Sequence, residues 1–198
     1  MSRRQQQKAQ TRERLLQAAA ARLRADGPDG MPVAEVMADA GLTHGAFYSH
    51  FADKQALVDA ALHDAMTGSR AAWFEGLDEV RGATRLRWLA GRYLNEQHRD
   101  RPQDGCALAC LAADAARGPA ELRQRYQGEL AQSLARLAEG FDEIEGEGGD
   151  DAAIAFLALC MGGVSMARAV DDPELSQRIL RACRMLAPRL APDADDET

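Results

Sequence analysis

The chain is predicted to be all-α, with about nine helices, on three observations. Apolar residues recur at three- and four-residue spacing along most of its 198 residues. The apolar–polar alternation expected of half-buried strands is missing. Alanine, leucine and arginine dominate while aromatic residues make up only 5%, a composition that favours helix over sheet. With 46% hydrophobic residues the chain can bury a substantial core, in a small module followed by a larger one.

The elements follow in order. Ser2 to Gln10 shows no apolar periodicity and is expected to be a flexible arm, while Leu15, Ala19 and Leu23 mark the first helix. Val33, Val36, Met37 and Ala40 mark a short second helix that stops at Gly41. Thr43 stands where the N-cap of a third helix belongs, and Leu42, Phe47 and Phe51 can face inward from it. Leu57, Ala61 and Ala65, with Val58, Leu62 and Met66, define a longer fourth helix; Leu86, Leu89, Ala90, Tyr93 and Leu94 define a fifth. Gly105 precedes a sixth, which Gly118-Pro119 ends, and Pro119 is suited to be the first residue of the seventh. Leu122, Tyr126, Leu130, Leu134 and Leu137 stripe that helix, after which the glycine- and acid-rich run 142–151 reads as an exposed loop. An eighth helix is expected over 152–170. Asp172-Pro173-Glu174 opens the ninth with a capping carboxylate, a first-turn proline and an acid near the positive helix end. Residues 191–198 are expected to be a disordered tail.

One stretch is a poor design for a core. Residues 41–54 compress a glycine turn, a short helix crowded with aromatic and polar groups and a new helix start into fourteen positions. Two short helices joined by such a turn form a helix-turn-helix, whose second member enters the major groove with its first residues at base edges. Here that member offers His44, Gly45, Ala46 and Ser49 outward.

Gly41-Leu42-Thr43-His44-Gly45-Ala46-Phe47-Tyr48-Ser49-His50-Phe51, followed by Lys54 and Leu57, resembles the DNA-binding signature of the TetR family of bacterial repressors over about residues 10 to 62. The resemblance implies that Tyr48, His50 and Lys54 contact the DNA backbone, that Thr43 opens the reading helix, and that His44, Gly45, Ala46 and Ser49 approach base edges. One position departs from the pattern: the second helix of the family usually opens on Ser or Thr, and Pro32 stands there, with no hydroxyl or N–H for a phosphate. The resemblance further implies a three-helix DNA-binding domain (1–62) and a six-helix regulatory and dimerisation domain (63–190), ahead of the tail (191–198). It also implies a twofold dimer on a palindromic operator, double-stranded DNA being the partner.

Charge is consistent with that expectation. The net charge is −7 and the pI about 5.1, which argues against a general nucleic-acid binder. Yet Arg3, Arg4, Lys8, Arg12, Arg14, Arg22 and Arg24 face only Glu13 over residues 1–24, a net +6 against −13 in the remainder. Phosphate attraction is screened beyond roughly 8 to 10 Å at ordinary salt, so a local basic segment can hold DNA on an acidic molecule.

In the carboxy-terminal half, Ile154, Leu157, Leu159, Met161, Val164 and Met166 make helix eight apolar around more than one stripe, which calls for cover on several sides. Gly162-Gly163 would admit another backbone closely. The resemblance implies that helices eight and nine pair with their symmetry mates, with Met161, Gly162, Gly163, Val164, Ile179, Cys183 and Leu186 at the interface; the alternative is that both helices simply complete the core of one chain. Trp73, Phe74, Trp88, Tyr93 and Tyr126 lie on helices that would surround a family-type ligand cavity; aromatics at helical spacing are more often core, so only some of them are expected to line a mostly apolar cavity. Cys106 follows Asp104-Gly105 at a helix start, where the dipole favours a thiolate, and Cys110 lies one turn on. A Gly-Cys pair here resembles a feature of a subgroup of that family, some of whose members sense electrophiles or oxidants through cysteine, so the effector is expected to be a small molecule or a thiol-modifying agent. Cys160 and Cys183 read as small apolar fillers, and the same packing role is the alternative for Cys106 and Cys110.

No nucleophile elbow, phosphate-cradling loop or paired-carboxylate site occurs, so catalysis is not expected. The C-x-x-x-C spacing and the scattered His44, His50, His63 and His98 complete no ligand set, so neither a metal nor a cofactor is expected. A secretory apolar run and an 18-residue apolar span are both missing, and a cytoplasmic location follows as an expectation. The competing classes are a thiol enzyme using Cys106 and a ligand-binding adaptor that has lost DNA binding.

Overall fold

The structure is a computed structural model that describes residues 2–141 and 148–190. Among them are nine α-helices, three 3-10 segments and no strand. They form two compact units, one of Met1–Ser69 with Pro102–Pro119 and one of Arg70–Arg101 with Ala120–Thr198.

In the first unit α1 runs over Arg3–Asp26 and buries Leu15, Leu16, Ala19, Ala20 and Leu23. The arm expected over Ser2 to Gln10 is therefore helical. Ser2 and Gln5 form a reciprocal capping box, and the Arg, Gln, Lys and Ala that follow are good helix formers, so the segment needs no apolar stripe to extend the helix. Next comes α2, Val33–Asp39, with Pro32 at its N-cap. It ends as the sequence predicts: Gly41 takes φ +66°, its N–H donates to the Ala38 carbonyl, and the Leu42 N–H reaches back to Met37 at 2.8 Å. That pair of bonds is the Schellman arrangement, and it turns the chain directly into the 3-10 helix His44–Ser49. Asp53 then caps α3, Lys54–Phe74, by accepting from the Ala56 N–H at 2.8 Å. After the short 3-10 segment Pro102–Asp104, α6, Ala107–Arg117, packs on α1 through Ala107, Leu108, Leu111 and Ala115, which are buried. The unit holding the helix-turn-helix thus extends beyond residue 62 and takes in 102–119.

The second unit is built from the end of α3 with α4 (Gly82–Tyr93), α5 (Glu96–Asp100), α7 (Ala120–Ala138), α8 (Gly148–Arg168), α9 (Pro173–Leu186) and the 3-10 segment Ala187–Leu190. Leu86, Leu89, Phe141, Ala153, Phe156, Cys160 and Val164 are among its fully buried residues. α8 begins at Gly148, so residues 148–151 of the predicted loop are helical. The rest of that loop and the tail at 191–198 lie outside the described residues. Nine predicted helices meet nine α-helices by a different route: the reading helix is 3-10, and the five-residue α5, capped by Asn95, was not anticipated.

Two arginines, Arg85 buried and Arg168 half-buried, organise this unit. Arg85 is 1% exposed and donates to the carbonyls of Leu77 (2.9 Å) and Arg136 (3.3 Å), satisfying loop and helix-end acceptors. Its guanidinium stacks 5.6 Å over Phe74. Arg168, at the end of α8, donates to the carbonyls of His98 (2.5 Å) and Arg99 (3.1 Å). Helix α7 is rotated from its predicted stripe: Leu122, Glu129, Ser133 and Leu137 are buried, whereas Tyr126, Leu130 and Leu134 are half-buried.

One segment, Gly149–Arg168 of α8, is long and apolar enough to cross a membrane by length and composition, although Asp150, Asp151 and Arg168 interrupt its apolar run. It has a definite inner face, however, with Ala153, Phe156, Leu157, Cys160, Val164 and Ala167 buried, as a core helix does.

Candidate nucleic-acid interface

The helix-turn-helix is held from below by aromatic packing. Phe47 and Phe51 are 1% and 6% exposed and stack at 6.1 Å between centroids. Their burial fixes which side of the 3-10 helix points out. Thr43, Gly45 and Ser49 are exposed, Ala46 is half-buried, and Tyr48 is 69% exposed with its ring edge-on to Phe47 at 5.2 Å. Thr43 occupies the N-cap position without making a side-chain capping bond. A Cβ added at Gly45 would meet nothing within 4 Å, so the fold itself does not require glycine there. The side chain of His44 lies outside the described atoms.

Ser49 Oγ donates to the Ala46 carbonyl at 2.7 Å. His50 closes the segment as its C-cap, half-buried, with Nδ1 buried and unpartnered. Burial, then Lys8 and Arg12, hold its pKa below the ordinary imidazole value. Lys54 is exposed in the first turn of α3, where the helix dipole disfavours a cation by about 0.3–1 kcal/mol; an anion arriving there would relieve that.

The basic segment divides by role. Arg22 is engaged by Glu35 and Asp39 of α2, and Arg24 donates to the Gln103 carbonyl at 2.6 Å with its pKa lowered by burial. Both serve the fold. Arg3, Arg4, Lys8, Arg12 and Arg14 stay exposed on α1, Arg12 lying 5.2 Å over the Phe51 ring, which links that helix to the reading segment. This link and the Asp53 cap escaped the sequence reading, although an Asp immediately before the start of a helix is a recognisable cap signal.

The other candidates separate. Trp73 and Tyr93 meet at 4.9 Å, with Trp73 Nε1 donating to the Leu89 carbonyl at 2.9 Å and Phe156 stacked 6.2 Å away; Tyr93 and Phe156 are buried core and Trp73 is half-buried against them. Trp88 is 56% exposed under the Arg92 guanidinium, and Tyr126 is half-buried on α7. A cleft of about 430 Å³ in the second unit is lined by Leu94, Asn95, Gln177, Leu180, Arg181 and Arg184 rather than by these aromatics. In the first unit Cys106 is the N-cap of α6 and half-buried, and Cys110 Sγ lies 3.8 Å from the Pro102 carbonyl. Cys160 is buried, and burial pushes the Cys183 thiol up. Among the described residues no group of three or more His, Cys, Asp or Glu is arranged to hold a metal.

The proposed dimer residues are likewise divided. Gly163 and Val164 are buried within the chain: a Cβ on Gly163 would come 2.8 Å from Leu94 and 2.9 Å from Cys183 Sγ, so its close approach serves α9 of the same molecule. Met161, Ile179 and Cys183 are half-buried, while Gly162 and Leu186 are exposed beside Ile154, Met166, Leu175 and Met185.

An exposed reading segment on an aromatic base, flanked by a cationic helix, defines a helix-turn-helix protein. Residues 15–61 match the family model of bacterial regulatory proteins of the tetR family. No curated protein sequence matches the chain. Its fold is similar to that of the reduced form of NemR from E. coli, with a TM-score of 0.78 and 20% identity over 93% of this chain and 99% of that one. A TetR-family regulator from Cytophaga hutchinsonii gives a TM-score of 0.76 at 16% identity, covering 93% and 96%. The regulatory protein TetR from Rhodobacter sphaeroides gives 0.73 at 22%, covering 91% and 98%. The helix-turn-helix segment belongs to the tetR family, and the chain as a whole has the fold of that family's solved members.

Proposed function

We propose that this chain is a homodimeric repressor that binds a palindromic operator and releases it when its regulatory half is altered by a small molecule or by cysteine modification. The observation carrying the proposal is the outward presentation of Thr43, Gly45, Tyr48 and Ser49 on buried Phe47 and Phe51, beside the exposed cations of α1. In this reading Tyr48, His50 and Lys54 hold phosphates, Thr43 opens the reading helix, and His44, Gly45, Ala46 and Ser49 lie against base edges. Phosphate contacts set register and affinity, and base edges set sequence.

Dimerisation is supported by apolar side chains left uncovered on α8 and α9, among them Ile154, Met166, Met185 and Leu186. A second copy joined there would set two reading segments on successive half-sites. For the effector, half-buried Cys106 and Cys110 support a thiol-directed signal, and NemR is recorded in a reduced form. A change of state need supply only about 1–3 kcal/mol of coupling to lower operator affinity substantially.

A gel shift with the DNA upstream of the protein's own gene tests the reading, repeated after alkylation of the thiols. A discrete complex lost on alkylation is expected. Retention of the complex by fully alkylated protein would remove the thiol arm and leave the DNA-binding arm.

A further inference from the structure

We infer that Ala46 and Ser49 make the reading segment selective for an adenine–thymine pair in the major groove. The inference rests on the reading of this segment as the DNA-contacting element, and it specifies the base chemistry that element takes.

A serine hydroxyl carries one hydrogen and two acceptor lone pairs. In Ser49 the hydrogen is engaged by the Ala46 carbonyl at 2.7 Å, while the residue itself is exposed. Toward the groove it therefore presents acceptors. The donors on major-groove edges are the amino groups of adenine and cytosine; guanine shows N7 and O6, and thymine shows O4 and its methyl group. An acceptor-only hydroxyl gains nothing from guanine or from the thymine oxygen unless the bond to Ala46 is first broken.

The second feature separates adenine from cytosine. Residues three apart eclipse one another on a 3-10 helix, so Ala46 and Ser49 share one side of the segment. Ala46 brings a methyl group, the partner suited to the thymine methyl. Gly45, beside it, brings no side chain, and a Cβ added there would meet nothing within 4 Å beyond its own segment, so the backbone can approach closely. An A·T pair offers an amino donor and a methyl group on the same edge, and a C·G pair offers the donor alone.

A duplex library randomised over a half-site and selected with the full-length protein tests this. The wild-type chain is expected to return an A·T pair at one position, and Ser49→Ala to lose that preference. Replacing this adenine by purine, which lacks the 6-amino group, should weaken wild-type binding roughly three- to tenfold and leave Ser49→Ala unaffected. Replacing the thymine by uracil should weaken both proteins about fourfold, and Ala46→Gly should abolish that response. Thermal unfolding of each variant verifies its fold. A G·C pair at the position freed by Ser49→Ala, or an equal response of wild type and Ser49→Ala to the purine duplex, overturns the inference alone. Folded wild-type protein that retains no library DNA at low salt overturns the DNA-binding reading and the inference with it.

Discussion

Arg70 and Glu129 form an ion pair at 3.2 Å between α3 and α7, and the same guanidinium reaches Gln132 Oε1 at 2.9 Å and Ser133 Oγ at 3.3 Å. Both side chains are largely withdrawn from solvent, at 16% and 9% exposure. Removing one partner leaves a charge facing low-dielectric surroundings, which costs more than removing both. Glu129→Ala is expected to destabilise the chain by about 2–3 kcal/mol, and Arg70→Met/Glu129→Leu by clearly less. Urea unfolding of the single and double variants measures this; equal losses would mean that the pair is not shielded as described.

Two adjacent glycines should behave oppositely. Gly163→Ala would drive a methyl group against Leu94 and Cys183, an overpacking cost of about 1–3 kcal/mol that outweighs the helix-propensity gain. Gly162→Ala meets nothing within 4 Å and should not lower thermal stability. A melting temperature that falls equally for both variants would contradict the packing described.

That contrast shows where sequence reading stops. Periodicity, the glycine turn at 41 and the Asp172 cap locate most helices, because each rests on local backbone chemistry. The Asp172 side chain does accept from the Glu174 N–H at 2.9 Å, as that start signal requires. Whether Gly162 or Gly163 faces a neighbour depends on helix rotation, which tertiary contacts set. For the same reason Glu129 and Ser133 lie inward on α7 while Leu130 and Leu134 are only half-buried. In the candidate site the inward role of Phe47 and Phe51 was legible; the engagement of Arg22 with Glu35 and Asp39, thirteen and seventeen residues away, was not.

The exposed apolar stripe on α8 and α9 yields a prediction about assembly. Met166→Glu with Met185→Glu alters residues that are 58% and 70% exposed, so the fold of one chain should survive. Sedimentation equilibrium is expected to show a dimer for the wild type and a monomer for the double variant. A variant that remains dimeric would move the interface elsewhere.

Protonation of His98 should be visible in stability. Its Nδ1–H donates to the Tyr93 carbonyl at 2.7 Å; burial, reinforced by Arg168, holds its pKa below the usual value against the pull of that bond. The unfolded chain takes up a proton near pH 6.5 that the folded chain refuses. Stability is therefore full above about pH 6.5 and declines as pH falls toward the lowered folded value. His98→Gln should flatten that decline in urea midpoints measured from about pH 5 to 8. An unchanged slope would assign the pH dependence to other groups, His50 among them, whose pKa is also lowered.

The central claim is that residues 43–54 read DNA as part of the intact protein, and fluorescence anisotropy with the upstream DNA fragment tests it most directly when titrated against salt. Wild-type protein should bind with a steep negative dependence of log affinity on log salt, and Lys54→Ala should flatten the slope by about one unit. Gly45→Ala, whose new methyl group is unopposed within the fold, should weaken binding without lowering thermal stability. Folded wild-type protein that shows no anisotropy change at low salt would contradict the account.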